Sequence, residues 1–234
     1  MAYVFWLFRS WKINNIEIKF QNQNFIVFNK PNGLLTHPNS KSQEETLRDY
    51  LIKIKPKLSD WGEGFREGIV HRLDRVTSGL IVCALDEETF ISLKKQFKDR
   101  KVNKKYLAII EGHLASETGK IELPLKRSES NRSKRAVVKN GKLSISEYEV
   151  IRTTNKHSLV LINLVTGRNH QVRVQMEYLK TPVVNDTLYG AKPNKLITSA
   201  EICLHSHILN FNLFDEEFTF ESSPPDFFNK VLEV

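Results

Sequence analysis

"HRLDRVTSGLIVCALDEETFISLKKQF", residues 71–97, decides the architecture. Its first five positions hold a histidine, two arginines and an aspartate. Residues 79–85 then form a continuous apolar run of strand length, suited to a strand covered on both faces. Asp86 stands where a helix N-cap belongs, and Phe90, Leu93 and Phe97 recur on one helical face. The segment reads as charged turn, buried strand and amphipathic helix.

Outward from this unit, "IEIKF" (16–20) and "NFIVFNKP" (24–31) predict two short strands, followed by a turn at 31–33. Residues 42–56 predict a helix with Ser42 and Glu45 at capping-box spacing and Pro56 as its stop. Downstream, 104–112, 144–151 and 158–164 read as strands, 170–179 as a helix through Val172, Met176 and Leu179, and 207–222 as a hairpin around an acidic turn. Strand runs outnumber helices and often follow one another, which favours an α+β fold with a mixed, mainly antiparallel sheet. No repeat or long Pro/Gly/Ser linker divides the chain. The expected organisation is an N-terminal extension at 1–15 and one catalytic-sized domain at 16–234.

Thirty-five Lys and Arg against 27 Asp and Glu give a net charge of +8, which points to a polyanionic partner, nucleic acid first. The charge concentrates at 126–142, where Lys126, Arg127, Arg132, Lys134, Arg135, Lys139 and Lys142 face a single Glu129. That composition predicts an exposed loop or hairpin arm able to meet phosphates, with salt-sensitive affinity. Cys83 and Cys203 lie far apart inside apolar runs, without zinc-ligand spacing, and read as core thiols in a reducing compartment. The apolar stretch at 2–8 is too short for a membrane span or a usual signal peptide. A cytoplasmic protein with no membrane partner is expected, and a monomer.

Asp74, flanked by Arg72 and Arg75 before a buried strand, can be a nucleophile or base held ionised by its neighbours, although such a pattern taken alone more often marks a salt bridge closing a turn. "TGRNHQVR" (166–173) puts Arg168 near a strand end at the start of a helix, free to meet a carboxylate.

These blocks carry a resemblance. "GIVHRLDRVTSGL" resembles the H-R-L-D-x-x-T-S-G signature of RluA-type pseudouridine synthases, and five further blocks follow that family's order: "NKPNGLLTHP", "VNKKYLAIIEG", "LVTGRNHQVRVQ", "NDTLYG" and "CLHSHILNF". The closing "PPDF" also fits. The resemblance covers roughly 16–227 and implies a pseudouridine synthase fold with a central cleft and a cofactor-free, metal-free isomerisation of uridine in ribosomal or transfer RNA. It implies Asp74 as the catalytic residue, Arg168 as its partner, and Tyr106 stacking on the target base or relaying a proton. Leu204 would pack on the base's other face, and Arg72 would enter the space the flipped base leaves. His71 would hold the loop, and Lys104 and Lys30 would be phosphate or structural contacts. Arg132, Lys134 and Arg135 would meet RNA. With only about fifteen residues before the first block, no N-terminal S4 domain is expected, and substrate choice would rest on the catalytic domain. Thr36, Ser206, Asn169 and Asn185 depart from the family's usual residues, and Asn185, where Gly is usual, puts a turn geometry in question.

Two other readings remain at this point. One is a metal-dependent hydrolase, with His205 and His207 on one strand face and His71 and Asp74 as further ligands. The other is a catalytically idle RNA-binding or RNA-folding module of the same fold.

Overall fold

The computed structural model describes residues 11–13, 16–38, 44–60 and 67–233. The apolar patch at 2–8 and Ser42 lie outside them. In chain order the elements are β1 (Trp11–Ile13), β2 (Ile16–Gln21), β3 (Phe25–Lys30), α1 (Leu47–Ile54), β4 (Ser78–Ala84), α2 (Glu87–Lys98), β5 (Asn103–Glu111), β6 (Thr118–Arg127), β7 (Arg135–Val137), β8 (Lys142–Thr153), β9 (His157–Leu164), α3 (Gln171–Tyr178), β10 (Leu204–Leu213), β11 (Glu216–Glu221) and α4 (Phe227–Leu232).

The strands form one sheet in the order β1-β2-β3-β4-β10-β5-β9-β8-β6-β7, with β11 on β10. Among the strands of the described residues only β4 and β10 pair in parallel, through His205 opposite Ser78 and Ser206 opposite Gly79. This is the α+β, mainly antiparallel sheet that the strand-rich pattern implies. β4 is buried at all seven positions. Ile81 and Cys83 join one core with Leu47 and Leu51 of α1, whereas Leu80 and Val82 join the other with Phe90 and Leu93 of α2. Each such side chain, fully buried, contributes about 1.5–3 kcal/mol, so β4 is anchored from both faces. Gly79 is required at the β4–β10 junction, because it sits at φ +109° and a Cβ there would collide with the Ser206 backbone.

Asp86 caps α2 as expected, accepting from the Thr89 N–H at 2.8 Å. α1 starts later than its pattern suggested. Its N-cap is Thr46, whose N–H and hydroxyl both donate to Asp49, not Ser42 with Glu45. Glu45 instead meets Lys53 and the Tyr50 hydroxyl on the helix surface. β6 was not foreseen, since Pro124 and alternating charges mask its period, yet it pairs β8 over eight residues and β7 over three. The basic segment 126–142 is therefore a hairpin arm built on β6, β7 and β8. Among the described residues no helix is long and apolar enough to cross a membrane.

Candidate active site

The charged turn at 71–77 is held from below by residues 30–36. Lys30 is buried and donates from Nζ to the carbonyls of Pro31 and Leu34 at 2.9 Å and of Arg75 at 3.4 Å. Burial pushes its ammonium down to about 7, with the Asp74 charge opposing that shift. The Asn32 amide donates to the Val76 carbonyl, and the Gly33 N–H to that of Arg75. Thr36 brackets Leu73: its hydroxyl donates to the Leu73 carbonyl at 2.9 Å and accepts from the Leu73 N–H at 3.3 Å. A valine at that position could make neither bond.

His71 stacks on Phe97 at 4.3 Å between centroids and accepts the Val82 N–H at 3.1 Å. It thereby satisfies the part of the β4 edge that β10 does not reach. Burial, with the Lys104 ammonium adding, pushes its imidazole down to about 3, so it is neutral. Lys104 is itself buried over the Phe97 ring, which lowers its own affinity for a proton.

Asp74 thus stands on a rigid mount. Its Oδ2 lies 3.5 Å from Nη1 of Arg173, and its Oδ1 3.8 Å from Nε2 of His170. Arg173 forks onto Asp186 at 2.6 and 2.8 Å and lies over the Tyr189 ring at 4.9 Å. Burial works against its charge, but Asp186 and Asp74 outweigh that and hold the guanidinium above its usual range. The expected partner of Asp74 is therefore corrected. Arg168 donates from Nε to the Leu143 carbonyl at 3.1 Å, while Arg173, five residues on, reaches the carboxylate. α3 begins at Gln171, and its first turn directs residue 173 inward. The available signal was "QVRVQM": an arginine between two valines in a helix buried at 171–176 demands carboxylate partners.

Tyr106 on β5 and Leu204 on β10 line the same cleft as Asp74, of about 640 Å³, with Arg72, Arg168 and His170 on its walls. Burial, assisted by the Asp74 charge and only partly offset by a bond to the Ser206 hydroxyl, pushes the Tyr106 phenol up to about 12. A second hollow, of about 290 Å³, opens on the far side of Arg72 and Asp74 against Asn185, Thr187 and Ser199. Arg72 is exposed and borders both hollows. Asn185 takes the left-handed φ of +67° that Gly would supply. Its side chain compensates by donating to the Thr198 and Glu201 carbonyls and accepting from the Asn194 N–H.

On the basic arm, Arg132 is exposed, Lys134 lies over the Tyr189 ring at 5.3 Å, and the Arg135 N–H donates to the Tyr189 hydroxyl at 2.8 Å. The metal-ligand reading loses its geometry. His205 is buried with Nδ1 against Ser78 Oγ and Nε2 against the Ser222 carbonyl, and His207 Nδ1 meets that same carbonyl. Among the described residues no group of three or more His, Cys, Asp or Glu is placed to hold a metal ion.

The chain matches the sequence model described as RNA pseudouridylate synthase over residues 24–178. It is 38% identical over 206 residues to Ribosomal large subunit pseudouridine synthase D of Borreliella burgdorferi, covering 87% of this chain and 63% of that one. It is 32% identical over 221 residues to an RNA pseudouridine synthase, YlyB, of Bacillus subtilis, covering 94% and 72%. Human RNA Pseudouridylate Synthase Domain Containing 1 superposes with a TM-score of 0.72 at 26% identity, over 93% of this chain and 87% of that structure. The chain spans 63% and 56% of the length of two relatives named synthase D, those of Borreliella burgdorferi and Zymomonas mobilis.

Proposed function

We propose that the chain, which belongs to the RNA pseudouridylate synthase family, isomerises a uridine in structured RNA to pseudouridine, and that its substrate is large-subunit ribosomal RNA. The observation that carries this reading is Asp74 fixed at the junction of two hollows, met by Arg173 and His170 and faced across the cleft by Tyr106 and Leu204. The names of relatives at 38% and 39% identity favour ribosomal over transfer RNA.

The reaction breaks the bond between N1 and C1′, turns the base, joins C5 to C1′, and moves the C5 proton to solvent while N1 gains one. Asp74 is the group that acts on the ribose, either by attack at C1′ or by removing a sugar proton to give a glycal. The Arg173 guanidinium, 3.5 Å from Oδ2, aims its carboxylate into the cleft. Tyr106 holds its own proton too tightly to be an effective base near neutral pH, which favours stacking on the uracil with Leu204 on the opposite face. Arg72 fills the gap that a flipped base leaves in the RNA; its exposure between the two hollows supports this role. The arm residues Arg132, Lys134 and Arg135 supply phosphate contacts, and the working form is a cytoplasmic monomer without cofactor.

The test is a pseudouridine map of total RNA from cells lacking the gene, complemented with the wild-type chain or with Asp74→Ala. Sites lost on deletion and restored only by the wild type are expected, in large-subunit ribosomal RNA. Restoration confined to transfer RNA would move the substrate. Restoration by Asp74→Ala would overturn the catalytic assignment and favour an RNA-binding module.

A further inference from the structure

Tyr189 is the largest fully buried side chain among the described residues, and its hydroxyl sits between two groups whose hydrogens can be counted. The Arg135 backbone N–H can only donate, so the phenol oxygen accepts there, at 2.8 Å. Burial pushes the phenol up to about 12, so the oxygen keeps its own hydrogen. Among the described residues the one acceptor within reach of that hydrogen is His170 Nδ1, also at 2.8 Å. A buried hydroxyl that donates to nothing costs about 1–3 kcal/mol. The Tyr189 hydrogen therefore goes to Nδ1, and the single imidazole hydrogen must sit on Nε2, the nitrogen facing Asp74 Oδ1 at 3.8 Å.

We propose that Tyr189 is a positioning residue that holds His170 in the tautomer with its hydrogen on Nε2, so that a donor faces each oxygen of Asp74. The backbone supports this aim. His170 is the N-cap of α3 and sits at φ +56°, an uncommon conformation for a residue with a side chain, and it directs the ring back toward the turn. The surroundings support neutrality as well. Burial, Arg173 and Arg135 disfavour an imidazolium, Asp74 and Asp186 favour it, and the balance lies on the neutral side. A neutral donor also suits the chemistry, since it orients the carboxylate without offering it a proton at neutral pH. The same hydroxyl ties the arm bearing Lys134 and Arg135 to the partner of Asp74, so the two halves of the site share one hydrogen-bonded atom.

The tautomer can be read in the free full-length chain labelled with ¹⁵N-histidine, by long-range ¹H–¹⁵N correlation, with His170 assigned through its loss in His170→Gln. The expected spectrum shows pyridine-like Nδ1 and pyrrole-like Nε2 in the wild type, and an average of the two tautomers in Tyr189→Phe, which keeps the ring over which Arg173 and Lys134 lie. A wild-type His170 with its hydrogen on Nδ1, or protonated at pH 7.5, would overturn the proposal even if the variant failed to fold. So would an unchanged tautomer in folded Tyr189→Phe. The catalytic consequence rests on the proposed function. With wild-type conversion of unmodified ribosomal RNA as control, Tyr189→Phe should lower the single-turnover rate at saturating enzyme roughly ten- to hundredfold. No product from the wild type would sink the functional reading and leave the tautomer result standing.

Discussion

Two regions of this molecule are rich in charge, and they use it in opposite ways. At the turn 71–77 the arginines Arg72 and Arg75 face solvent, but the aspartate is held against buried charges: Asp74 faces Arg173, Arg173 is forked onto Asp186, and Lys30 donates to three backbone carbonyls underneath. The arm at 126–142 leaves most of its cations toward solvent, with Lys126 on exposed Glu129 and Arg132 outward. Charges in the first region are costly to bury and therefore fixed in place; those in the second are cheap, screened and free to meet phosphates. The difference separates chemistry from affinity, and side chains away from the shared Tyr189 hydroxyl can be changed in one half without touching the other.

The largest effect is expected at Asp74. Asp74→Asn should lower single-turnover conversion by about four orders of magnitude, with the RNA dissociation constant within a few-fold by filter binding. Equal loss of both would erase the distinction between the regions. Arg173 comes next. Arg173→Lys keeps a charge but loses the fork, and a small misplacement of the carboxylate should cost roughly a hundredfold in rate. Arg173→Ala should also lose about 3–5 kcal/mol of stability, because Asp186 would stay buried and unpaired. Arg168→Ala, by contrast, should leave the rate within a few-fold, since its Nε donates to the Leu143 carbonyl and not to Asp74.

Acid should loosen the mount before it touches the arm. The imidazoles of His71 and His205 are pushed down by burial to about 3 and about 4, so below the unfolded value of 6.5 the unfolded chain binds protons that the native one does not. Their contribution is complete above pH 6.5 and falls as the pH drops toward 4. Each should cost up to about 1.4 kcal/mol per pH unit in that window, read by denaturant titration at pH 7.5 and 5.5. The gentlest effect belongs to the arm. Combined Arg132→Ala, Arg135→Ala and Lys139→Ala should weaken RNA binding and reduce the slope of log affinity against log salt by roughly two. The single-turnover rate at saturating enzyme should stay unchanged.

Much of the fold was legible in the chain. β4 announced itself by an unbroken apolar run, α2 by Asp86 and one apolar face, and the β10–β11 hairpin by paired apolar arms around an acidic turn. These are local signals, written within a dozen residues. The cap of α1 was misplaced because two sets of capping residues follow one another at 42–49 and spacing alone does not choose between them. β6 was missed because its strand identity comes from pairing with β7 and β8, not from its own composition.

The aspartate in its arginine-rich turn and the α+β class of the fold can be read along the chain, because motifs and hydrophobic periods are properties of neighbours. Which arginine meets Asp74, and which atom of Tyr189 meets His170, follow from packing in three dimensions. Asp74, His170, Arg173, Asp186 and Tyr189 come from three separate segments. Their partnerships depend on distances of a few ångströms set by how α3 packs against the sheet, and sequence spacing does not encode such distances.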